Sequence, residues 1–323
     1  MIEVLSCGAL VTVQDDGRPG YLSQGLARGG AADVLARVEA RALIGEIGAG
    51  IELPGAPLRL ALRDPVCLAL TGAPMRAEAD GRRLAWNAAH PLPGGTVLDL
   101  RPSGEGAYAY VHVAGGFDTE KIAGSRAAHL IAGIGAPLSA GDILPCAPSE
   151  GAARTIDAIP RLGGGVLRLV PTPQTALFPA AELARFEATT FARDPRGNRQ
   201  GVRLAFDAAG FATEGQLNLM SDFILPGDVQ MTGDGVPYIL GPECQTTGGY
   251  PRIGTVIEAD LPRALQAVPG ARLLFRFVTL DEARNAAHRS PKARPLVRSP
   301  AEVADLGALQ LVSGVVSARM EDE

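Results

Sequence analysis

Lysine is almost missing from this chain: of 30 basic residues among 323, only Lys121 and Lys292 are lysines. Neither follows a G-x-x-x-x-G-K run and neither sits in an AMKM-like hairpin tip. The chain therefore carries no P-loop for a nucleotide phosphate and no biotin attachment site of its own. Cysteine is sparse too: Cys7, Cys67, Cys146 and Cys244 are far apart and form no C-x-x-C pair. His90, His112, His129 and His288 show no H-E-x-x-H or H-x-x-x-H spacing, so no metal is predicted and no redox motif is signalled. The 30 basic against 35 acidic residues give a net charge of −5, which speaks against a nucleic-acid binder working through a broad basic surface. No run reaches about 18 uncharged apolar residues, and MIEVLSCGAL has no basic region before a long apolar stretch. No membrane span and no export signal are expected, and reduced thiols in the cytoplasm fit best.

What the chain does have is punctuation. Forty Gly and 25 Pro make about one residue in five a chain-bender, against a usual sum of about 12 %. They divide short apolar runs with the spacing of a β-barrel or sandwich: Ile2 to Leu5, Leu10 to Val13, Leu58 to Leu62, Val66 to Leu70, Val97 to Leu100 and Tyr108 to Val113. The segment DVLARVEARALI, Asp33 to Ile44, breaks that rhythm with helical spacing, and Asp33 suits the helix N-terminus. Between Pro145 and Gly165 periodicity is lost, which marks a domain junction.

A second strand-rich half follows through Val166 to Val170, Val202 to Phe206, Gln216 to Met220, Val236 to Leu240, Gly254 to Ile257 and Leu273 to Val278, with a helix near Ala180 to Phe186. A short helix is expected after Asp281, and a second one from Pro300. There Ser299 and Glu302 form a capping-box pattern, and Leu306, Leu309, Leu311, Val312 and Val315 an apolar face. The expectation is a mainly β fold of two β-barrel subdomains, residues 1–155 and 156–285, with a few short helices and a C-terminal helical tail, 286–323.

Three polar clusters stand out. The first is Gln14-Asp15-Asp16-Gly17-Arg18-Pro19-Gly20-Tyr21, where Gln14, Asp15 and Arg18 offer acceptors and donors suited to an amide, ureido or carboxylate group beside glycines that let backbone approach closely. The second is Gly197-Asn198-Arg199-Gln200-Gly201, whose arginine can clamp a carboxylate or phosphate. The third is Glu243-Cys244-Gln245-Thr246-Thr247-Gly248-Gly249-Tyr250, a loop whose N–H groups suit a developing oxyanion. The first also reads as a long hairpin whose Asp and Arg pair with each other, and the second as a solvated surface stripe. A nucleophilic Cys244 lacks a neighbouring His, and an inert buried thiol is the commoner case.

In order, TVQDDGRPGY, IELPGAPLRL, LALTGA, VAGGFD, GSR at Gly124 to Arg126, PLSAGDILP, GNRQGVRL, PGDVQ, QTTGGYP and ADLPRALQAVPG resemble the allophanate hydrolase subunit 2 family. That family includes the matching half of the urea carboxylase carboxyltransferase domain and the C-type subunit of bacterial ATP-dependent 5-oxoprolinase. The resemblance spans nearly the whole chain and implies cyclophilin-like barrels working in a complex. It departs at Ala127-Ala128, where relatives usually carry Ser-Thr after G-S-R, at Glu243-Cys244 in place of Asp-Arg, at Gly197 in place of Ser, and at Arg41 in place of Asn.

The resemblance thus implies a subunit of an ATP-dependent 5-oxoprolinase opening a lactam ring to glutamate, with a subunit 1 (B-type) homologue and an A-type subunit as partners. ATP is the implied cofactor and is open to lie on a partner; self-association is also open. Gln14, Asp15, Arg18 and Gln245 are the candidate catalytic residues, with Tyr21, Asn198, Arg199, Thr246, Thr247, Gly248, Gly249 and Tyr250 around a small amide or lactam. The competing readings are a biotin-dependent carboxyltransferase subunit, using carboxybiotin on a separate carrier, and a regulatory partner of the subunit 1 homologue.

Overall fold

The computed structural model describes residues 1–212, 219–288 and 290–296. The first half packs two sheets face to face. One has six strands in the order Ile143–Leu144, Ile2–Cys7, Leu58–Leu62, Val97–Pro102, Met75–Ala79 and Arg82–Leu84. The other has seven, in the order Thr12–Gln14, Gly50–Leu53, Ala109–Val113, Val66–Gly72, Ala88–Leu92, Arg154–Thr155 and Arg294–Pro295. Strands with one solvated face read with period two: in Met75–Ala79 the residues Met75, Ala77 and Ala79 are buried while Arg76 and Glu78 are exposed. Val66–Gly72 is instead buried throughout. Its Val66, Leu68 and Leu70 join the core between the sheets, while Cys67 and Ala69 meet Ala40 and Leu43 of helix α1, Val34–Ile44.

The second half is a closed seven-stranded barrel: Gly165–Val170, Arg252–Val256, Asp228–Met231, Pro237–Leu240, Gly201–Ala205, Phe191–Arg193 and Arg272–Phe277, the last pairing in parallel with the first. Its core is aromatic. Phe186, from helix α2 (Ala180–Ala188), packs on Phe191, Phe211 and Phe275, and Phe206 joins through Phe191 and Phe211, in ring contacts with centroids 4.7–5.9 Å apart. Helices α3 (Leu261–Gln266) and α4 (Leu280–Arg284) complete the described helices, α4 starting in a Thr279–Glu282 capping box.

The mainly β fold class holds. Residues 294–295, expected in a tail, pair with Arg154–Thr155 and so extend the first half's sheet. The helix expected from Pro300, with Ser299, Glu302 and its apolar face, lies outside the described residues, as does most of the strand expected over Gln216 to Met220.

Asp33 caps α1, accepting hydrogen bonds from the backbone N–H groups of Leu35 (3.1 Å) and Ala36 (3.2 Å). Its other oxygen joins the halves: Arg161 Nε donates to it at 2.6 Å and Gln266 Nε2 at 2.7 Å. Arg161 also forks onto Glu39 at 2.7 and 2.6 Å, and all four side chains are buried. Gln266 meanwhile accepts from Ala107 and Tyr108 N–H and donates to the Tyr108 carbonyl, so α3 of the barrel is hydrogen-bonded to the edge of the first half.

One buried histidine is sealed beneath α1. His112 stacks on Tyr110 with centroids 5.9 Å apart, and neither ring nitrogen has a hydrogen bond among the described residues. A Cβ at Gly50 would lie 2.2 Å from its Nδ1, which is why the neighbouring strand carries glycine there. Burial, aided by Arg37 and Arg41, holds the imidazole down to about 3. Between that value and the ordinary value of about 6.5, the unfolded chain binds a proton that the folded chain does not. The stabilisation is therefore complete above about pH 6.5 and declines as pH falls, by up to about 1.4 kcal/mol per unit. Urea unfolding between pH 7 and 4 is expected to show that slope in the wild type and to lose it between pH 6.5 and 5 in His112→Leu; equal slopes would refute the assignment.

Candidate active site

The chain leaves strand Thr12–Gln14 and turns at Asp15-Asp16-Gly17, with Gly17 at φ +76°. A side chain at residue 17 would place its Cβ 2.5 Å from the Arg28 carbonyl oxygen, so the turn requires glycine. Asp15 then becomes an anchor. Its Oδ1 accepts from Gly17 N–H (2.8 Å) and the Ser125 hydroxyl (2.6 Å), and its Oδ2 accepts from Arg126 N–H (2.7 Å). The GSR loop is thereby fixed to the first polar cluster.

Gln14 and Arg18 act on the same loop from beneath. Gln14 Nε2 donates to the Ala128 carbonyl at 3.1 Å, and Arg18 donates to the carbonyls of Ala127 and Ile122. Both side chains are buried, and burial pulls the Arg18 guanidinium below its ordinary value against the pull of Asp15 and Glu243. Arg18 Nη1 and Gln14 Oε1 have no hydrogen bond among the described residues. Ala127 and Ala128 are buried at this contact.

Above the loop opens a cavity of about 750 Å³ lined by Asp15, Asp16, Arg37, Asp118, Lys121 and Arg126 together with the Gly115-Gly116 turn. Arg37 Nε donates to Asp16 at 2.8 Å, and its buried Nη1 has no hydrogen bond among the described residues. Arg126 pairs with Asp118, and Arg41 with Asp16 at 2.7 Å. Burial opposes the charge of Asp16, but Arg37 and Arg41 outweigh it and hold its carboxyl below the usual range. Gly116, at φ +80°, passes so close to Gly48 that a Cβ would lie 2.3 Å from the Gly48 Cα. A polar, charge-lined cavity of this kind suits a small zwitterionic or anionic molecule.

The second and third clusters lie elsewhere. Arg199 does clamp carboxylates, but they belong to the protein: Glu52 of the first half and Glu243 (2.6 Å), with the Gly30 carbonyl at 2.6 Å on the remaining nitrogen. Burial works against its charge, yet the two carboxylates outweigh it and raise its pKa. Asn198 is exposed, with Oδ1 accepting from Gln200 N–H. Gln245 and Tyr250 line a separate cavity of about 270 Å³ with Asn198. Thr246 is buried, Thr247-Gly248 pairs with Asp222-Phe223 in a small ladder beside Gly249, and Tyr21 precedes a 3₁₀ turn. Asp15 and Gln245, read as parts of one cleft in the sequence, thus line different cavities.

Cys244 is buried against Ile224 and Leu240, and burial with nearby Asp228 pushes its thiol up to about 12, so at neutral pH it is protonated and inert. Asp16 and Arg126 stood inside quoted motifs without a site role, and Arg37 at the larger cavity and Gln230 at the smaller were not picked out from the sequence. A charged residue within the apolar IELPG run was the one visible hint of Glu52.

Residues 24–277 match the family described as carboxyltransferase domain, subdomain A and B. The chain belongs to this carboxyltransferase-domain family. It is 32 % identical over 293 residues to the C-type subunit of 5-oxoprolinase from Escherichia coli (strain K12), a match covering 88 % of this chain and 94 % of that one. It is 30 % identical over 289 residues to the corresponding 5-oxoprolinase subunit from Haemophilus influenzae, covering 88 % and 93 %. Among solved structures, TTHA0988 is 28 % identical with a TM-score of 0.76, over 85 % of this chain and 55 % of that one, so this chain spans about half of it. The Kluyveromyces lactis urea carboxylase, 23 % identical with a TM-score of 0.78 over 93 % and 30 %, shares the fold. The resemblance of the motifs to this carboxyltransferase-type family therefore holds.

In this family member the Arg199 tie is the joint between the halves. Arg199→Met leaves Glu52 and Glu243 buried without their cation and is expected to cost about 3–5 kcal/mol in urea unfolding at pH 7. A loss under about 1 kcal/mol would show that the tie is dispensable.

Proposed function

We propose that this chain is the C-type subunit of an ATP-dependent 5-oxoprolinase, opening a lactam to glutamate together with a B-type and an A-type subunit. The likeness to the Escherichia coli 5-oxoprolinase subunit over nearly the full length of both chains carries the reading. The larger cavity supports it, because the substrate joins a carboxylate to a planar amide. Arg37, with an unused Nη1, and Lys121 suit the carboxylate. Asp15 Oδ2 has one hydrogen bond and keeps acceptor capacity for the ring N–H. Gln14 and Arg18 act through the GSR loop as positioning residues, and Arg126, which lines the cavity, is the cation suited to the charge that develops as the amide opens.

The cavity does not fit a nucleotide triphosphate. Its side-chain cations Arg37, Lys121 and Arg126 face Asp15, Asp16 and Asp118, so there is no positive surplus for a polyanion. The reading therefore assigns ATP to a partner subunit. A carboxyltransferase working with carboxybiotin on a separate carrier is the second reading, supported by the family description; stable binding of a biotinylated carrier would favour it.

The decisive assay is glutamate formation from 5-oxoproline and ATP by the chain assembled with its B-type and A-type partners. Asp15→Asn sets an amide against the Arg126 or Gly17 N–H, and Arg126→Ala removes the cation; each is expected to lower turnover at least about 100-fold in complexes that still assemble. An intact wild-type complex without turnover would overturn the proposal.

A further inference from the structure

Another cavity, of about 460 Å³, lies where the two halves meet, between the segment that leads into α1 and the barrel around α3. Cavities at such junctions commonly hold small molecules. Its walls are apolar: Ala31, Ala32 and Val34 of the first half face Leu225, Leu261 and Leu265 of the barrel. Val34 is 42 % exposed and Leu225 49 %, so part of each wall is open to water. Pro226, Pro242 and Pro262 stand among these residues, and their fixed φ stiffens the backbone of the barrel side.

The charges at this cleft indicate what would cover it. Four charged side chains line it: Asp15, Asp16, Arg28 and Glu258. Asp15 is committed to the GSR loop and Asp16 to Arg37 and Arg41. Arg28 and Glu258 are both exposed, and among the described residues neither has an ion pair. Arg28 Nε donates to the Asp16 carbonyl at 2.9 Å, which anchors the guanidinium and leaves its two Nη atoms without a hydrogen bond among the described residues. An uncommitted cation on one half and an uncommitted anion on the other, over an apolar interior, match a molecule that joins an apolar body to one carboxylate and one ammonium. A fatty acid would meet Arg28 but be repelled by Glu258, and an uncharged apolar molecule would leave both unpaired.

We propose that this cleft binds an apolar α-amino acid, its side chain among Val34, Leu225 and Leu261, its carboxylate on Arg28 and its ammonium on Glu258. Asp15 and Asp16 line both this cleft and the larger cavity, so the turn that anchors the GSR loop is the wall between the two spaces. The site goes beyond the oxoprolinase reading and does not rest on it, since binding by the chain is measured without turnover. The probe is L-phenylalanine, titrated into the full chain and followed by amide NMR shifts. The comparisons are 3-phenylpropionate, which lacks the ammonium, and 2-phenylethylamine, which lacks the carboxylate. Expected are saturating shifts at Ala31, Val34 and Leu261 with phenylalanine, and at least about fivefold weaker binding of either comparison. Arg28→Met is expected to weaken phenylalanine at least about fivefold and leave 2-phenylethylamine unchanged; Glu258→Gln is expected to weaken phenylalanine equally and not weaken 3-phenylpropionate. Val34→Asp sets a carboxylate on the apolar wall and is expected to abolish binding, while an acidic residue in the first turn of α1 spares the helix. Equal binding of 3-phenylpropionate, unchanged phenylalanine affinity in any of these folded variants, shifts confined to Gly116 and Arg126, or no saturable binding by the wild type would each overturn the proposal. So would signals of Val34 and Leu225 that move with protein concentration alone, which would assign the cleft to a second copy of the chain.

Discussion

Arg199 is the residue on which the two halves of this molecule depend. Its guanidinium lies between Glu52, on a strand of the first half, and Glu243, in the loop after barrel strand Pro237–Leu240, with the Gly30 carbonyl completing its contacts. Glu52 is itself held by the Tyr110 hydroxyl at 2.6 Å and by Ala32 N–H at 2.8 Å. Burial and the adjacent carboxylate raise the Tyr110 phenol far above its ordinary range, so it stays a donor. Two buried anions sharing one cation are tolerable only because almost every lone pair has a partner; a fork of five N–H donors supplies several at once, as an ammonium cannot.

The same device recurs at Arg161, set between Asp33 and Glu39. Together the two arginines hold the segment from Gly29 to Asp33 against both halves, and that segment steadies the candidate site. Gly29 N–H donates to the Pro242 carbonyl at 3.0 Å, and Ala31 N–H donates to the Asp15 carbonyl at 3.0 Å. The anchor of the GSR loop is thus braced from the joint between the halves, although the larger cavity lies within the first.

Legibility in the sequence followed local pattern. Leu58–Leu62 alternates cleanly, and α1 carries its cap and its helical spacing in one stretch, so both were readable. Gly50–Leu53 and Asp228–Met231 were not, because the first carries a glycine and a buried glutamate and the second an aspartate and a glutamine where an apolar residue is usual. Those polar residues are buried by partners distant in sequence. Ala88–Leu92 escaped for another reason: alanine, histidine and proline give little strand signal, and its burial comes from the strands beside it.

The order of the motifs determined the family, and the turns and short apolar runs determined a β-rich fold; both are local properties that survive reading one residue at a time. The chemistry on offer was equally local: amides, carboxylates and arginines in glycine-rich loops. Which of them face a ligand and which face each other was decided by tertiary structure alone. Arg199 reads as a free clamp until Glu52, 147 residues away, is placed against it, and Gln230 reads as an ordinary strand residue until the Gln245 loop is brought against it. A polar side chain's task is set by what is left unpaired after folding, and pairing between the two halves is a long-range outcome that no stretch of sequence contains.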